Sequence, residues 1–257
     1  MEFGIANLSV IPVRQKPEHI SEQVTQLLFG ELYAIHEKKE NWLRIETAND
    51  QYQGWLHTNQ HTEITEQQYK SLLVAPKAIA AELIQTVTNH DRSFPILIGS
   101  TLYEFDGMNF KLGKEKYVYS GQAITDTELM TTEHIKKFAL KLLNAPYQWG
   151  GRSPFGVDCS GLTQIVFKLS GRNLPRDAYQ QAEEGKTINF IHEAREGDLA
   201  FFKNEENAIV HVGIILNDNQ IIHASGKVRI DMIDHFGIFN KELKKYTHQL
   251  RIIKRII

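Results

Sequence analysis

The apolar positions of this chain change their period twice. Up to about residue 62 they form short runs, Ala6–Val13, Gln23–Leu28, Leu32–Glu37, Trp42–Glu46 and Gly54–Leu56, with a hairpin turn at Asn49-Asp50. Runs this short and this closely spaced predict strands, because no crossover helix fits between them. A small barrel closes such strands without leaving exposed edges. Thr65–Leu73 carries a short helical pattern. A second series of strands then follows over Ala78–Thr86, Pro95–Leu97, Thr101–Asp106, Asn109–Leu112 and Lys116–Tyr119, with a turn at Asp106-Gly107. It predicts a second barrel, diverged from the first.

From Thr131 the period lengthens. Within Thr131–Leu143, the residues Ile135, Phe138, Ala139, Leu142 and Leu143 share one side of a capped amphipathic helix. Pro146, Gly150, Gly151, Pro154 and Gly156 then forbid a long helix or strand and predict a shaped arm. Leu162, Ile165, Val166 and Leu169 recur at i, i+3, i+4 and i+7, which predicts a helix with Asp158 as its N-cap and Gly171 as a left-handed stop. A short helix is expected in the stretch from Leu174 to Glu183. The period then returns to two, with strands at Gly197–Phe202, Ile209–Leu216 and Gln220–Ala224. Helices followed by an antiparallel sheet predict an α+β domain. The expected boundaries are 1–64 and 74–125 for the barrels and 126–257 for the α+β domain.

Composition narrows the function classes. The 257 residues are 42% hydrophobic and 23% charged, with a formal net charge of -2, so the chain carries no electrostatic footprint for nucleic acid. Lys244, Lys245, Arg251, Lys254 and Arg255 read as solvated charge on a terminal helix and strand. A single cysteine excludes an intramolecular disulfide framework. The opening Met-Glu-Phe-Gly-Ile-Ala-Asn-Leu-Ser-Val lacks the basic start and apolar core of a secretory leader, and no run approaches the roughly 20 apolar residues of a membrane span. The expectation is a cytoplasmic monomer that partners neither membrane nor nucleic acid.

Cys159 falls in the first turn of its helix, where unpaired N–H groups and the helix dipole favour an anion. On that argument its pKa should fall below the ordinary value of about 8.5. The competing reading is a buried small hydrophobe. His211 and His223 interrupt otherwise apolar strands, and a buried imidazole needs hydrogen-bond partners. A nucleophilic thiol needs an imidazole base and a third group that orients it. His211 and His223 fill those places only if both rings lie on one face of their hairpin. A three-residue loop at Asn217-Asp218-Asn219 pairs His223 with Gly213 and satisfies this, whereas a two- or four-residue loop does not. Cysteine and histidine also make metal sites, but no CxxC or HxxxH spacing is present, so neither metal nor cofactor is expected.

With these residues in hand, Tyr147-Gln-Trp-Gly-Gly-Arg152, Gly156-Val-Asp-Cys-Ser-Gly-Leu162, Leu174-Pro-Arg176, Gly197-Asp-Leu199, His211-Val-Gly213 and Ile222-His-Ala224 resemble the NlpC/P60 family of papain-like cysteine peptidases. The first barrel, with Asn41-Trp-Leu-Arg-Ile45 and Gly54-Trp-Leu56, resembles a bacterial SH3-like domain. The resemblance implies two SH3-like barrels ahead of a papain-like domain, with Cys159 as nucleophile, His211 as general base and His223 as orienting group. It also implies cleavage after γ-linked D-glutamate, as in γ-D-glutamyl-L-diamino acid endopeptidases that recycle short wall peptides with a free amino terminus. Tyr147, Trp149, Asp158 and Ser160 match the residues lining such a cleft, with Tyr52 a further candidate. An ammonium group needs a nearby carboxylate, and Asp177 and Glu22 are the candidates. Tyr147 and Trp149 could instead pack the arm, and Arg176 with Asp177 could be a plain ion pair. Relatives of this kind often have serine where Ala178 stands. An exported wall hydrolase and a peptide-binding protein without catalysis remain as alternatives.

Overall fold

The computed structural model describes residues 2–113, 115–125, 132–217 and 219–257. The chain forms two compact units, one of residues 1–129 with 149–154 and one of residues 130–148 with 155–257.

The first unit holds two β-sheets of seven strands each. The first comprises β1 (Glu2–Ile5), β2 (Val10–Arg14), β3 (Gln23–Leu28), β4 (Leu32–Lys39), β5 (Trp42–Thr47), β6 (Gln53–His57) and β7 (Glu63–Ile64). Helix α1 (Glu66–Val74) follows, capped at Thr65, whose hydroxyl accepts from the Gln68 N–H while the Gln68 amide oxygen accepts from the Thr65 N–H. The second sheet comprises β8 (Lys77–Ala80), β9 (Ile84–Thr88), β10 (Ser93–Leu97), β11 (Thr101–Tyr103), β12 (Asn109–Leu112), β13 (Glu115–Tyr119) and β14 (Ala123–Thr125). Strand order runs β3-β2-β6-β5-β4-β1-β7 in one and β10-β9-β13-β12-β11-β8-β14 in the other. Each strand of the second is thus the counterpart of the strand seven places earlier, and both sheets are SH3-like.

The two expected opening strands differ from the pattern. Ala6–Val13 is strand only from Val10, and Ala78–Thr86 breaks after Ala80, with β9 starting at Ile84. At each bend the first residue is buried and its backbone is paired, Ala6 N–H with the Glu31 carbonyl and Ala81 N–H with the Gln122 carbonyl, and polar residues follow, Asn7 and Ser9 in one and Glu82 in the other. The strand expected to reach Asp106 ends at Tyr103, because Glu104 takes a left-handed conformation. Phe3, Ile5, Phe29 and Leu32 share one core with Val87, Ile96, Leu102 and Phe110. The two barrels approach so closely that a side chain on Gly30, at φ +83°, would collide with the Thr101 carbonyl.

The second unit contains helix α2 (Thr132–Lys141), whose expected cap Thr131 lies outside the described residues. Two short strands, β15 (Arg152–Ser153) and β16 (Gly156–Val157), lie in the arm, the first of them within the barrel unit. They are followed by α3 (Cys159–Leu169) and α4 (Ala178–Gln181). The sheet comprises β17 (Lys186–Ile188), β18 (Leu199–Lys203), β19 (Ile209–Leu216), β20 (Gln220–Ser225), β21 (Lys227–Ile233), β22 (Gly237–Asn240) and β23 (Lys245–Arg255). Its order is β17-β23-β18-β19-β20-β21-β22, and an added β22–β23 pairing closes six strands into a ring. Among the described residues no helix follows β22: the basic C-terminus is one long strand paired with β17, β18 and β22, and Arg255 binds Asp198 at 2.8 and 2.9 Å. Phe202, Ile215, Ile221, Ile233, Ile238 and Ile253 form the core on the inner face of this ring. The α+β expectation holds.

Candidate active site

Helix α3 is seated by its cap. Asp158 accepts the Gly161 N–H at 2.7 Å, and the buried Arg176 guanidinium grips the same carboxylate at 2.5 and 3.1 Å while donating to Ser160 Oγ at 2.8 Å. Arg176 therefore pairs with Asp158. Gly171 closes the helix at φ +80°, as the sequence predicts.

Cys159 is buried at the start of α3, which packs on β19 and β20. The backbone N–H groups of Val212 and Ser160 point at its sulfur, so the thiol lies beside the residue that follows His211. Contrary to the dipole argument, the thiol pKa is pushed up to about 11, chiefly by burial and also by the Asp158 charge; the two N–H groups and Arg176 oppose this without reversing it. The sulfur is therefore protonated at neutral pH.

The hairpin register settles the histidines. Leu216 pairs with Gln220 and Gly213 pairs with His223, so the loop has three residues, of which Asp218 lies outside the described ones. Asn219 supplies the left-handed conformation at φ +55°. Both rings consequently share a face, and His211 Nε2 meets His223 Nδ1 at 2.9 Å. Gly213 leaves the space for this: a Cβ there would sit 2.9 Å from His223 Cβ. Burial, with the neighbouring His248 and His223, holds the His211 pKa well below its ordinary value, so this ring is uncharged at neutral pH.

Three groups around the pair were not singled out by sequence reasoning. His223 Nε2 lies 3.1 Å from Asp231 Oδ2, and Arg229 clamps that carboxylate through Nε at 2.6 Å and Nη2 at 3.0 Å. Burial raises the Asp231 pKa, but the hydrogen bonds from His223 and Arg229 outweigh it and leave the group below its ordinary value, hence ionised. The signal was available, since a hairpin folded about Gly226 puts Arg229 opposite His223 and Asp231 two residues further along the same face. His248, on β23, stacks on His211 with centroids 4.2 Å apart. Burial holds its pKa down to about 4. Ring nitrogens of His211, His223 and His248 lie within 4.8 Å of one another, close enough for a metal ion. One nitrogen of each of two of these rings, His211 Nε2 and His223 Nδ1, is already spent on the other.

The other candidate residues divide between the units. In the second, Tyr147, Asp158 and Ser160 surround the nucleophile; burial and then the Cys159 charge push the Tyr147 pKa up to about 12. Asp177 is half-buried at the start of α4, where its N–H donates to Gln180 Oε1. In the first unit, the Trp149 indole N–H donates to Glu22. Trp149 is 62% exposed, so it does not pack the arm. Tyr52 lies on the β5–β6 hairpin, its N–H donating to Thr47 Oγ1. Arg152 reaches Glu31 through a two-pronged buried ion pair, both contacts 2.9 Å, and also binds Gln26.

A thiol at a helix N-terminus against the strand that carries one of two hydrogen-bonded imidazoles, on a helix packed against an antiparallel sheet, defines a papain-like cysteine peptidase. Residues 144–249 match the NlpC/P60 family, and residues 13–60 match the bacterial dipeptidyl-peptidase Sh3 domain. A gamma-D-glutamyl-L-lysine dipeptidyl-peptidase of Bacillus subtilis is 30% identical over 215 residues, 78% of this chain and 71% of that protein. Dipeptidyl-peptidase 6 of Lysinibacillus sphaericus is 28% identical over 257 residues, 85% of this chain and 87% of its own length. The crystal structure of an NlpC/P60 family protein from Bacillus cereus superimposes with a TM-score of 0.84, covering 99% of each chain at 18% identity. The chain belongs to the NlpC/P60 family, and it is a cysteine peptidase.

Proposed function

We propose that this peptidase acts on peptidoglycan-type peptides, hydrolysing the bond between γ-D-glutamate and an L-diamino acid in short peptides with a free amino-terminal L-alanine. The observation that carries the reading is the His211–His223 hydrogen bond of 2.9 Å on the sheet against which the Cys159 helix packs. Two relatives named for the γ-D-glutamyl-L-lysine bond or for dipeptide release support the substrate class.

In this reading Cys159 Sγ attacks the γ-amide carbonyl carbon as its proton passes to His211. N–H groups at the start of α3 hold the developing oxyanion. His211 then protonates the departing amine, and water, deprotonated by the same ring, hydrolyses the thioester to free the dipeptide and the thiol. His223 orients the base. Asp158 is already held by Arg176, so within the second unit Asp177 receives the substrate ammonium, with Tyr147 and Ser160 lining the path. The enzyme works as a cytoplasmic monomer in peptide recycling, without a cofactor.

Incubation with L-Ala-γ-D-Glu-L-Lys, analysed by mass spectrometry, is expected to release free lysine, whereas the N-acetylated peptide should stay intact. Equal cleavage of the two removes the amine requirement, and cleavage of neither removes the substrate assignment.

A further inference from the structure

Resting on the reading of His211 as the base, we propose that Asp231, gripped by Arg229, is a positioning residue that sets which ring nitrogen of His211 is free to take the thiol proton. The reasoning is a count of donors and acceptors along one chain of contacts. Ionised Asp231 can only accept, so His223 Nε2, 3.1 Å away, carries a proton and donates it. In neutral His223 the other nitrogen, Nδ1, is then bare and can only accept. His211 Nε2, 2.9 Å from it, must therefore be the donor. Its hydrogen is committed, and the lone pair of His211 is left on Nδ1.

The carboxylate is two contacts removed from the base yet decides its tautomer. Arg229 keeps it in place, with Nε on Oδ2 at 2.6 Å and Nη2 on Oδ1 at 3.0 Å, and Glu242 lies on the outer side of the guanidinium at 3.3 Å. Among the described residues, His248 also faces this chain, stacked on His211 from β23. Its pKa of about 4 leaves it uncharged at neutral pH, so it does not compete with Asp231 for the direction of the proton chain.

Asp231→Leu tests this with little change of bulk. It removes the acceptor of the His223 Nε2–H, so nothing any longer fixes the direction of the proton chain. Long-range 15N–1H spectra of the imidazoles are expected to show both rings as Nε2–H in the wild type and a mixture of Nε2–H and Nδ1–H in the variant. With the tripeptide, kcat should fall by up to about 10²- to 10⁴-fold, the scale of general acid–base catalysis, while KM stays near the wild-type value. A variant that keeps both rings as Nε2–H, or that shows the mixture with kcat unchanged, overturns the proposal. If the variant does not fold, the wild-type spectrum still decides, since Nδ1–H on either ring refutes the chain of donors. Failure of the underlying reading shows separately, as full turnover by His211→Asn.

Discussion

Replacing Arg176 by methionine tests whether the seat of the nucleophile is electrostatic. The guanidinium is 1% exposed and makes two contacts to Asp158 and one to Ser160, so the substitution keeps much of the side-chain bulk but leaves a buried carboxylate without its cation. Removing one member of a buried pair costs about 3–5 kcal/mol, because the other charge has already left water. At about 2–4 °C per kcal/mol for a protein of this size, the expected fall in Tm is about 6–20 °C. The Gly161 N–H, bonded to Asp158 at 2.7 Å, stays in place and keeps the loss towards the lower end. Adding Asp158→Asn removes the stranded charge, so the double variant should be less damaged than the sum of the singles by about 0.5–3 kcal/mol. Calorimetry with near-UV circular dichroism is the appropriate readout. Trp42 and Trp55 lie in the first barrel and Trp149 in the segment 149–154, so tryptophan fluorescence reports the first unit and would miss this change. A single variant within about 1 kcal/mol of wild type, or a double variant equal to the sum, refutes the reasoning.

Gly213→Ala places a methyl group 2.9 Å from His223 Cβ and 2.7 Å from Ile221 Cδ1; it should lower kcat more than it raises KM, at a stability cost of about 1–3 kcal/mol, and steady-state kinetics with urea denaturation check both. His211 and His248 have native pKa values below 6.5, so the unfolded chain binds more protons than the native one as pH falls through 6.5 towards 4. Stability is therefore fully present above pH 6.5 and declines below it; urea midpoints should drop between pH 7 and pH 5, less steeply in His248→Gln, and a flat wild-type profile contradicts the assignment. Zn²⁺ should inhibit reversibly by taking the three imidazole nitrogens, with chelator restoring activity and His248→Ala weakening the inhibition; equal inhibition of both proteins refutes that geometry.

The path from sequence to site was clearest where a single local rule decided the outcome. Parity alone required a three-residue loop at 217–219, and the rings met because of it. Leu162, Ile165, Val166 and Leu169, with Asp158 ahead of them, likewise marked both the helix and its cap. What could not be read depends on neighbours distant in the chain. The thiol pKa follows from how deeply Cys159 is packed, which a helix-dipole argument does not contain. His248 sits in a stretch whose charges suggested exposure, yet its strand also pairs with the distant β18, and that pairing brings it onto His211. The bends after Ala6 and Ala81 are set by backbone bonds to Glu31 and Gln122, partners that the local pattern does not contain.

One buried ion pair governs how this protein can be dissected. Glu31 is 3% exposed in the first barrel, and its guanidinium partner, Arg152, arrives 121 residues later. A fragment stopping at residue 125 keeps every strand of both barrels but deprives that carboxylate of its counter-charge, at a cost of about 3–5 kcal/mol. A plasmid encoding the barrels alone should therefore carry Glu31→Gln, or the isolated piece will look far frailer than it is within the whole chain.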